Sequence, residues 1–463
     1  MHLSIWTSFA FYALATLLQC CQRAASGSDI PPPYRVHAFY YLWYGEPSTG
    51  TWAHWDHEVL SHWDPNVAAQ YPQGMRFEPP DCLHSPFYPL RGPYSSASTD
   101  LIRQHLREME AYGIGVLVAS WWGPSWRQGS HDTQRINTDD RIAKVIREIE
   151  VTGSPVRVAF HLEPYEGRTK ETVHADLSYL SSRYGQSSAV LRINGRPAYY
   201  VYDSYRLPAS DWAQLLLPGA GPLSVRGTPA DGFFLGLWLN KNDGDDNILP
   251  GGFEGFYTYF SSEQVSYGSN PQHWPAMQMW ATRHGRIFVP SIGPGYNDGK
   301  IRPWNLQATR TRDDGDRYRR LWDIAIALGV PFVSITSYNE WGEGTQIEPA
   351  VPRLPRQECA YLDYEPQGAY LYLEITRNGT QRLAERLAPG SGEGEGTEGG
   401  GVAEEMQVEG NGGGGGNDGG GGDTGRGEAE GSEGGAAAAM CDSTEGSGRE
   451  GGKGEGKERP GSS

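Results

Sequence analysis

The stretch TDLIRQHLREMEAYGIGVLVASWW, residues 99–122, holds the two patterns from which the fold follows. Its first part, 99–113, spaces Leu101, Ile102, Leu106 and Met109 as one face of a helix, behind a Ser-Thr-Asp start and up to a closing glycine. Its second part, GIGVLVASWW (113–122), is a near-continuous apolar run, as expected of a strand covered on both faces. Seven more runs of this second kind occur: VHAFYYLWY (36–44), VRVAFHLEP (156–164), PAYYVYDS (197–204), GFFLGLWLN (232–240), GFEGFYTYF (252–260), RIFVPSIGP (286–294) and FVSITSYNEW (332–341). Amphipathic stretches at 138–153, 169–185 and 314–330 separate several of them, and several start at Ser, Thr or Asp and end at Gly. Eight buried strands alternating with helices predict an α/β fold, a (β/α)₈ TIM barrel forming a single catalytic domain over 33–388. The alternative is an open doubly wound sheet.

In such a barrel the chemistry sits at the carboxyl ends of the strands. There the sequence puts Trp43 and Tyr44, Trp121 and Trp122, His161 and Glu163, Tyr202 and Asp203, Tyr257 and Tyr259, and then Asn339, Glu340 and Glu343. Flat rings meet the apolar faces of sugars, so aromatic and polar residues repeated around one rim point to a carbohydrate cleft. Core packing of the 15 Trp and 26 Tyr is the alternative that composition leaves open.

Glu340 and Glu343 lie three residues apart in SITSYNEWGEGTQIEPA (334–350), just past the last run. Glycosyl transfer needs one group to protonate the departing oxygen and another to assist at the sugar, and paired carboxylates supply both. Glu348 reads as structural. Glu163 in HLEPY shares a strand face with His161 and can bind hydroxyls or tune a neighbouring acid. There is no HxH or HExxH spacing, so neither a metal nor another cofactor is expected.

The two ends differ from this middle. The apolar run LSIWTSFAFYALATLLQCC (3–21), followed by Arg23 and small residues, predicts a signal peptide or signal anchor over 1–27. Either places the rest of the chain in the secretory pathway: in the Golgi lumen as a type II membrane-anchored protein, or secreted. Residues 390–463 hold 29 Gly, with 16 acidic against 5 basic side chains, and are expected to be a disordered acidic tail. The remainder carries 34 basic and 40 acidic residues, a balance that offers no footprint for nucleic acid. Cys82 and Cys359 are the two cysteines between these ends; they pair in an oxidising lumen or stay apart. Asn378-Gly379-Thr380 is a glycosylation sequon.

The segments FYYLWYGEP, HWDHEVLSHWDP, YPQG, PFYP, PYSS, HLEPY, YYVYDSY, GFYTYF, SYGS, PSIGPGYND, IRPWN and SITSYNEWGEGTQIEPAVP together resemble glycoside hydrolase family 99, in order from about His37 to about Leu383. The resemblance implies a metal-free barrel that cleaves internal α-1,2-mannosidic bonds of high-mannose or glucosylated N-glycans, or of α-mannan, with retention. It also implies that the mannose 2-hydroxyl takes part through a 1,2-anhydro sugar, with Glu340 as base and Glu343 as general acid and base. By the same resemblance Tyr44, His161, Glu163, Tyr259, Arg302 and Asn339 line the glycan cleft, and Trp122 after Ser-Trp suggests mannose rather than glucose in the outermost subsite. Two positions depart from the family's pattern: Gly342 stands where many members have His, and Cys82 where an acidic residue is usual. A glycan-binding barrel without catalysis, or a glycosyltransferase-associated relative, is the competing reading.

Overall fold

In the computed structural model, which describes residues 31–355 and 359–388, all eight apolar runs form strands. They are β1 (Val36–Tyr40), β2 (Val116–Trp121), β3 (Arg157–Leu162), β4 (Arg196–Val201), β5 (Phe233–Leu237), β6 (Gly255–Tyr257), β7 (Ile287–Val289, resumed at Ser291–Ile292) and β8 (Val333–Ile335). Nearly every residue in them is buried, so both faces are covered, as near-continuous hydrophobicity requires. Pairing is parallel throughout the path, from β7 through β6, β5, β4, β3 and β2 to β1 and then β8.

Pro290 explains the interruption of β7. A proline cannot donate to a ladder. Ile287–Val289 pairs with β6 before it, and Ser291–Ile292 pairs with β8 after it. The carbonyl of Pro290 still accepts from the Ser334 amide at 3.0 Å. One strand thus reaches both neighbours and closes the ring, which is the expected barrel rather than the open sheet. The interior is filled by rings: Phe39 has its centroid 4.8 Å from His161, 5.5 Å from Tyr200 and 5.1 Å from Tyr259.

The helices expected from periodicity are α1 (Thr99–Ala111), α2 (Asp139–Thr152), α3 (Lys170–Tyr184) and, further on, Asp316–Ala327. Ser98 caps α1 by accepting from the Leu101 amide, Thr169 and Thr172 form a reciprocal capping box on α3, and Gly153 ends α2 at φ +69°. Three further helices lie outside the stretches picked out by periodicity: α4 (Ala209–Leu216), α5 (Trp274–Arg283) and, after α6 (Asp316–Ala327), α7 (Leu371–Arg386). Within α7 the residue that seats the helix is Gly379. A Cβ there would lie 2.3 Å from the Trp322 ring, so only glycine lets α7 press onto α6. Helix α7 also touches the turn Pro32–Arg35 that leads into β1.

The predicted leader (1–27) and tail (390–463) lie outside the described residues. Among the described residues no helix is long and apolar enough to cross a membrane. Cys82 and Cys359 are joined by a disulfide that spans 277 positions of sequence. A cross-link over so long a loop restricts the unfolded chain, by on the order of 5–6 kcal/mol in the chain-entropy account. Cys82→Ser is therefore expected to lower the melting temperature by several degrees in non-reducing buffer, and dithiothreitol to bring the native protein down to the same value.

Candidate active site

Past the end of β8 the chain runs through Thr336 to Glu348, and buried polar contacts hold nearly every step of it. Asn339 grips β1's continuation: its Nδ2 donates to the Tyr41 carbonyl at 2.8 Å and its Oδ1 accepts from the Tyr41 amide at 2.7 Å. The Tyr44 hydroxyl donates to the Asn339 carbonyl and meets the Trp341 amide at 3.0 Å. At the far end Glu348, fully buried, accepts from Tyr94 Oη at 2.6 Å and Trp341 Nε1 at 3.0 Å and lies 3.0 Å from His105 Nε2. Burial alone would push its carboxyl up, but His105, Arg91 and Tyr94 outweigh this and hold it below the usual carboxylate range.

This clamped loop aims Glu340 and Glu343 into a cleft at the carboxyl ends of the strands. The other lining residues include Trp43, Trp122, His161, Glu163, Tyr259 and Arg302. Glu340 is 6% exposed, and its Oε1 accepts from the Gly342 amide at 2.9 Å and the Glu343 amide at 3.3 Å. Burial, and then the facing Glu343, raise its pKa well above normal despite those two donors. Glu343 is raised too, first by burial, while Arg302 works in the opposite direction. Arg302 Nη1 is 3.3 Å from Glu343 Oε1 and 3.3 Å from the buried Asp298. One guanidinium is thus shared by two carboxylates, and Asp298, which also accepts from Asn305, fixes its position.

Across the cleft, Glu163 Oε1 accepts from Ser120 and lies 3.1 Å from His161 Nδ1, while His161 Nε2 is 2.9 Å from Tyr257 Oη. Tyr259 reaches in at φ +56° and its hydroxyl is hydrogen-bonded to that of Tyr41. The structure therefore brings together Trp122, His161, Glu163, Tyr259, Arg302, Glu340 and Glu343. It places Tyr44 and Asn339 differently, behind the cleft wall, where both are fully buried and hold the loop rather than line the space. Asn378 stands exposed on α7, apart from the cleft, and Thr380 of the same sequon is buried, donating to the Thr376 carbonyl at 3.0 Å.

The sequence reading passed over His54, His57, His84 and Asp132, which complete the lining from the loops after β1 and β2. His54 stacks on Trp43, with centroids 4.4 Å apart, and its Nε2 is 2.7 Å from Asp132. Three histidines within HWDH and DCLHSP were the available signal. Among the described residues no group of three His, Cys, Asp or Glu side chains is arranged to hold a metal ion.

A closed parallel barrel with two desolvated carboxylates on one rim loop, an arginine between acids and an aromatic-lined cleft is the arrangement of a glycoside hydrolase. The comparisons agree: the profile of glycosyl hydrolase family 99 matches residues 32–385, and the chain belongs to that family. It is 44% identical over 348 residues to the glycoprotein endo-alpha-1,2-mannosidase-like protein of Mus musculus, covering 74% of this chain and 75% of the relative. To the glycoprotein endo-alpha-1,2-mannosidase of Rattus norvegicus it is 42% identical over 363 residues, 77% of this chain and 76% of that one. The structure of the GH99 endo-alpha-mannosidase from Bacteroides thetaiotaomicron superposes with a TM-score of 0.69 at 36% identity, covering 77% of this chain and 99% of that one.

Two outcomes follow from these charges. Burying the Glu340 carboxylate costs stability at neutral pH, a cost absent below the ordinary carboxylate pKa and complete above the raised one. Glu340→Gln should therefore raise stability by about 1–3 kcal/mol in neutral chemical denaturation while removing activity. Glu348 has the opposite sign, because its stabilisation is present above the unfolded carboxylate pKa and is lost as pH falls through its lowered folded value. Glu348→Ala should cost roughly 3–5 kcal/mol near neutrality by taking the carboxylate away from Tyr94, Trp341, His105 Nε2 and Arg91 Nη1, and the gap from wild type should narrow in acid.

Proposed function

We propose that this glycoside hydrolase is an endo-acting α-mannosidase that cleaves internal α-1,2-mannosidic bonds of high-mannose N-glycans, glucosylated or not, with retention of configuration. The observation that carries this reading is the Glu340–Glu343 pair, desolvated together on the loop after β8 beside Arg302. The names of the mouse and rat relatives support the substrate, and the pairing of Cys82 with Cys359 supports an oxidising secretory compartment such as the Golgi lumen. The expected leader, cleaved or kept as an anchor, would deliver the chain there.

In this reading Glu340 takes the proton of the mannose 2-hydroxyl as O2 attacks C1. The C1 to glycosidic oxygen bond breaks, and Glu343 protonates the departing oxygen. Water then opens the 1,2-anhydro ring at C1, giving its proton to Glu343, while Glu340 returns a proton to O2. Two inversions at C1 amount to retention. A buried carboxylate with a raised pKa is a stronger base once ionised, which suits removal of a proton from an alcohol. The backbone amides on Oε1 fix its direction. His161, Glu163 and Tyr259 face the pair and can bind the hydroxyls of the sugar being cleaved. Trp122 is the candidate for mannose preference in the outermost subsite.

Purified protein should release mannobiose from an α-1,2-mannan fragment, or glucosyl-mannose from a glucosylated N-glycan, as the α-anomer by NMR. Glu343→Gln should lower kcat by at least about a hundredfold. Binding without cleavage by the wild type would replace this reading with a glycan-binding barrel. Trp122→Tyr should move the ratio of the two activities toward glucose. The active state needs one carboxyl ionised and the other protonated, so kcat/KM should be bell-shaped in pH, with both limbs above the ordinary carboxylate range. Because Arg302 lowers both pKa values, Arg302→Gln should shift both limbs to higher pH.

A further inference from the structure

His84 is 2% exposed, lines the cleft and is out of place as a core histidine. Its Nδ1 is buried with no hydrogen-bond partner, and among the described residues no protein group pairs with its Nε2 either. Every other histidine lining the cleft has a polar contact: His54 with Asp132, His57 with the Glu58 carbonyl, His161 with Tyr257. An unpaired buried imidazole is a cost that a purely structural role would not explain.

Its position supplies the reason. A Cβ placed on Gly342 would stand 2.5 Å from His84 Nε2 and 3.1 Å from Glu340 Oε1. The imidazole therefore uses the space that glycine leaves open, and its Nε2 edge comes up to the Glu340 carboxylate. His57 lies behind it, with ring centroids 5.6 Å apart. Burial, then His57, His54 and Lys300, hold the ring neutral. A neutral imidazole offers one donor and one acceptor, and a hydroxyl, which both donates and accepts, can use either.

We propose that His84 contacts the substrate, hydrogen-bonding a sugar hydroxyl beside the Glu340 carboxylate through the gap left by Gly342. This rests on the endo-mannosidase reading above and adds to it a substrate-binding residue from the loop that the Cys82–Cys359 bridge ties down.

The test uses the full chain with His84→Phe, which keeps a ring without polar atoms, and His84→Gln, which restores an amide near the Nε2 position. Cleavage of the α-1,2-mannan fragment is followed, together with its binding by calorimetry to Glu343→Gln protein with and without His84→Phe. The expected result is a fall of about tenfold in kcat/KM and in affinity for the Phe variant, an unchanged or higher melting temperature, and recovery of most of the loss by Gln. His84→Ala takes the place of Phe if the larger ring prevents folding. Full kcat/KM and affinity in the Phe variant, or a Gln variant as impaired as Phe, would overturn the proposal. Cleavage by none of the proteins, with binding still weakened by His84→Phe, would refute the endo-mannosidase reading and leave the His84 contact supported. Neither cleavage nor binding by wild type would refute both.

Discussion

The buried Glu348 carboxylate is where barrel, loop and cleft meet. It draws Tyr94 and Arg91 from the loop after β1, His105 from α1 and Trp341 from the loop after β8 onto one pair of oxygens. Tyr40 on β1 reaches the same group through His105 Nδ1 at 2.8 Å. A charge this deep is tolerable only when several partners satisfy it, so the segments that bring them are fixed relative to one another. Glu340 and Glu343, eight and five residues earlier in the chain, inherit that rigidity.

The two halves of the loop use opposite electrostatics. At Glu348 the surroundings favour the anion. At Glu340 they disfavour it, although two backbone amides are present, because desolvation and the neighbouring acid outweigh them. Carboxylates of one residue type, eight positions apart, thus serve as a brace and as a chemical group. Environment alone separates the roles, and perturbation of this kind is what marks a site for proton transfer.

Much of the barrel was legible because buried parallel strands write themselves as apolar runs. The break at Pro290 was not, since the run RIFVPSIGP reads as one strand and only its two pairing partners reveal the closure. Helices α4, α5 and α7 went unread because α4 spans only about two turns, α5 buries Trp274, Met277 and Ala281 rather than branched aliphatics, and in α7 buried Thr376, Gly379 and Thr380 interrupt the face of Leu371, Ile375 and Leu383. Within the site, Glu340, Glu343, His161 and Glu163 could be found by following strands to their ends. His54, His57, His84 and Asp132 come from long loops without periodicity, which fold back over the rim only through tertiary contacts. Tyr44 and Asn339 show the converse: residue type and position put them near the chemistry, but not on which side of the wall they face.

The contact between α7 and the turn before β1 has a directional consequence. The Pro32–Arg35 turn leads into the amino end of β1 and α7 packs on that turn, while the cleft opens at the carboxyl ends of the strands. Whatever is joined to the domain through either terminus is attached to its back. A protein held that way presents its mouth outward, and a bulky glycan on a large glycoprotein can approach without passing the point of attachment.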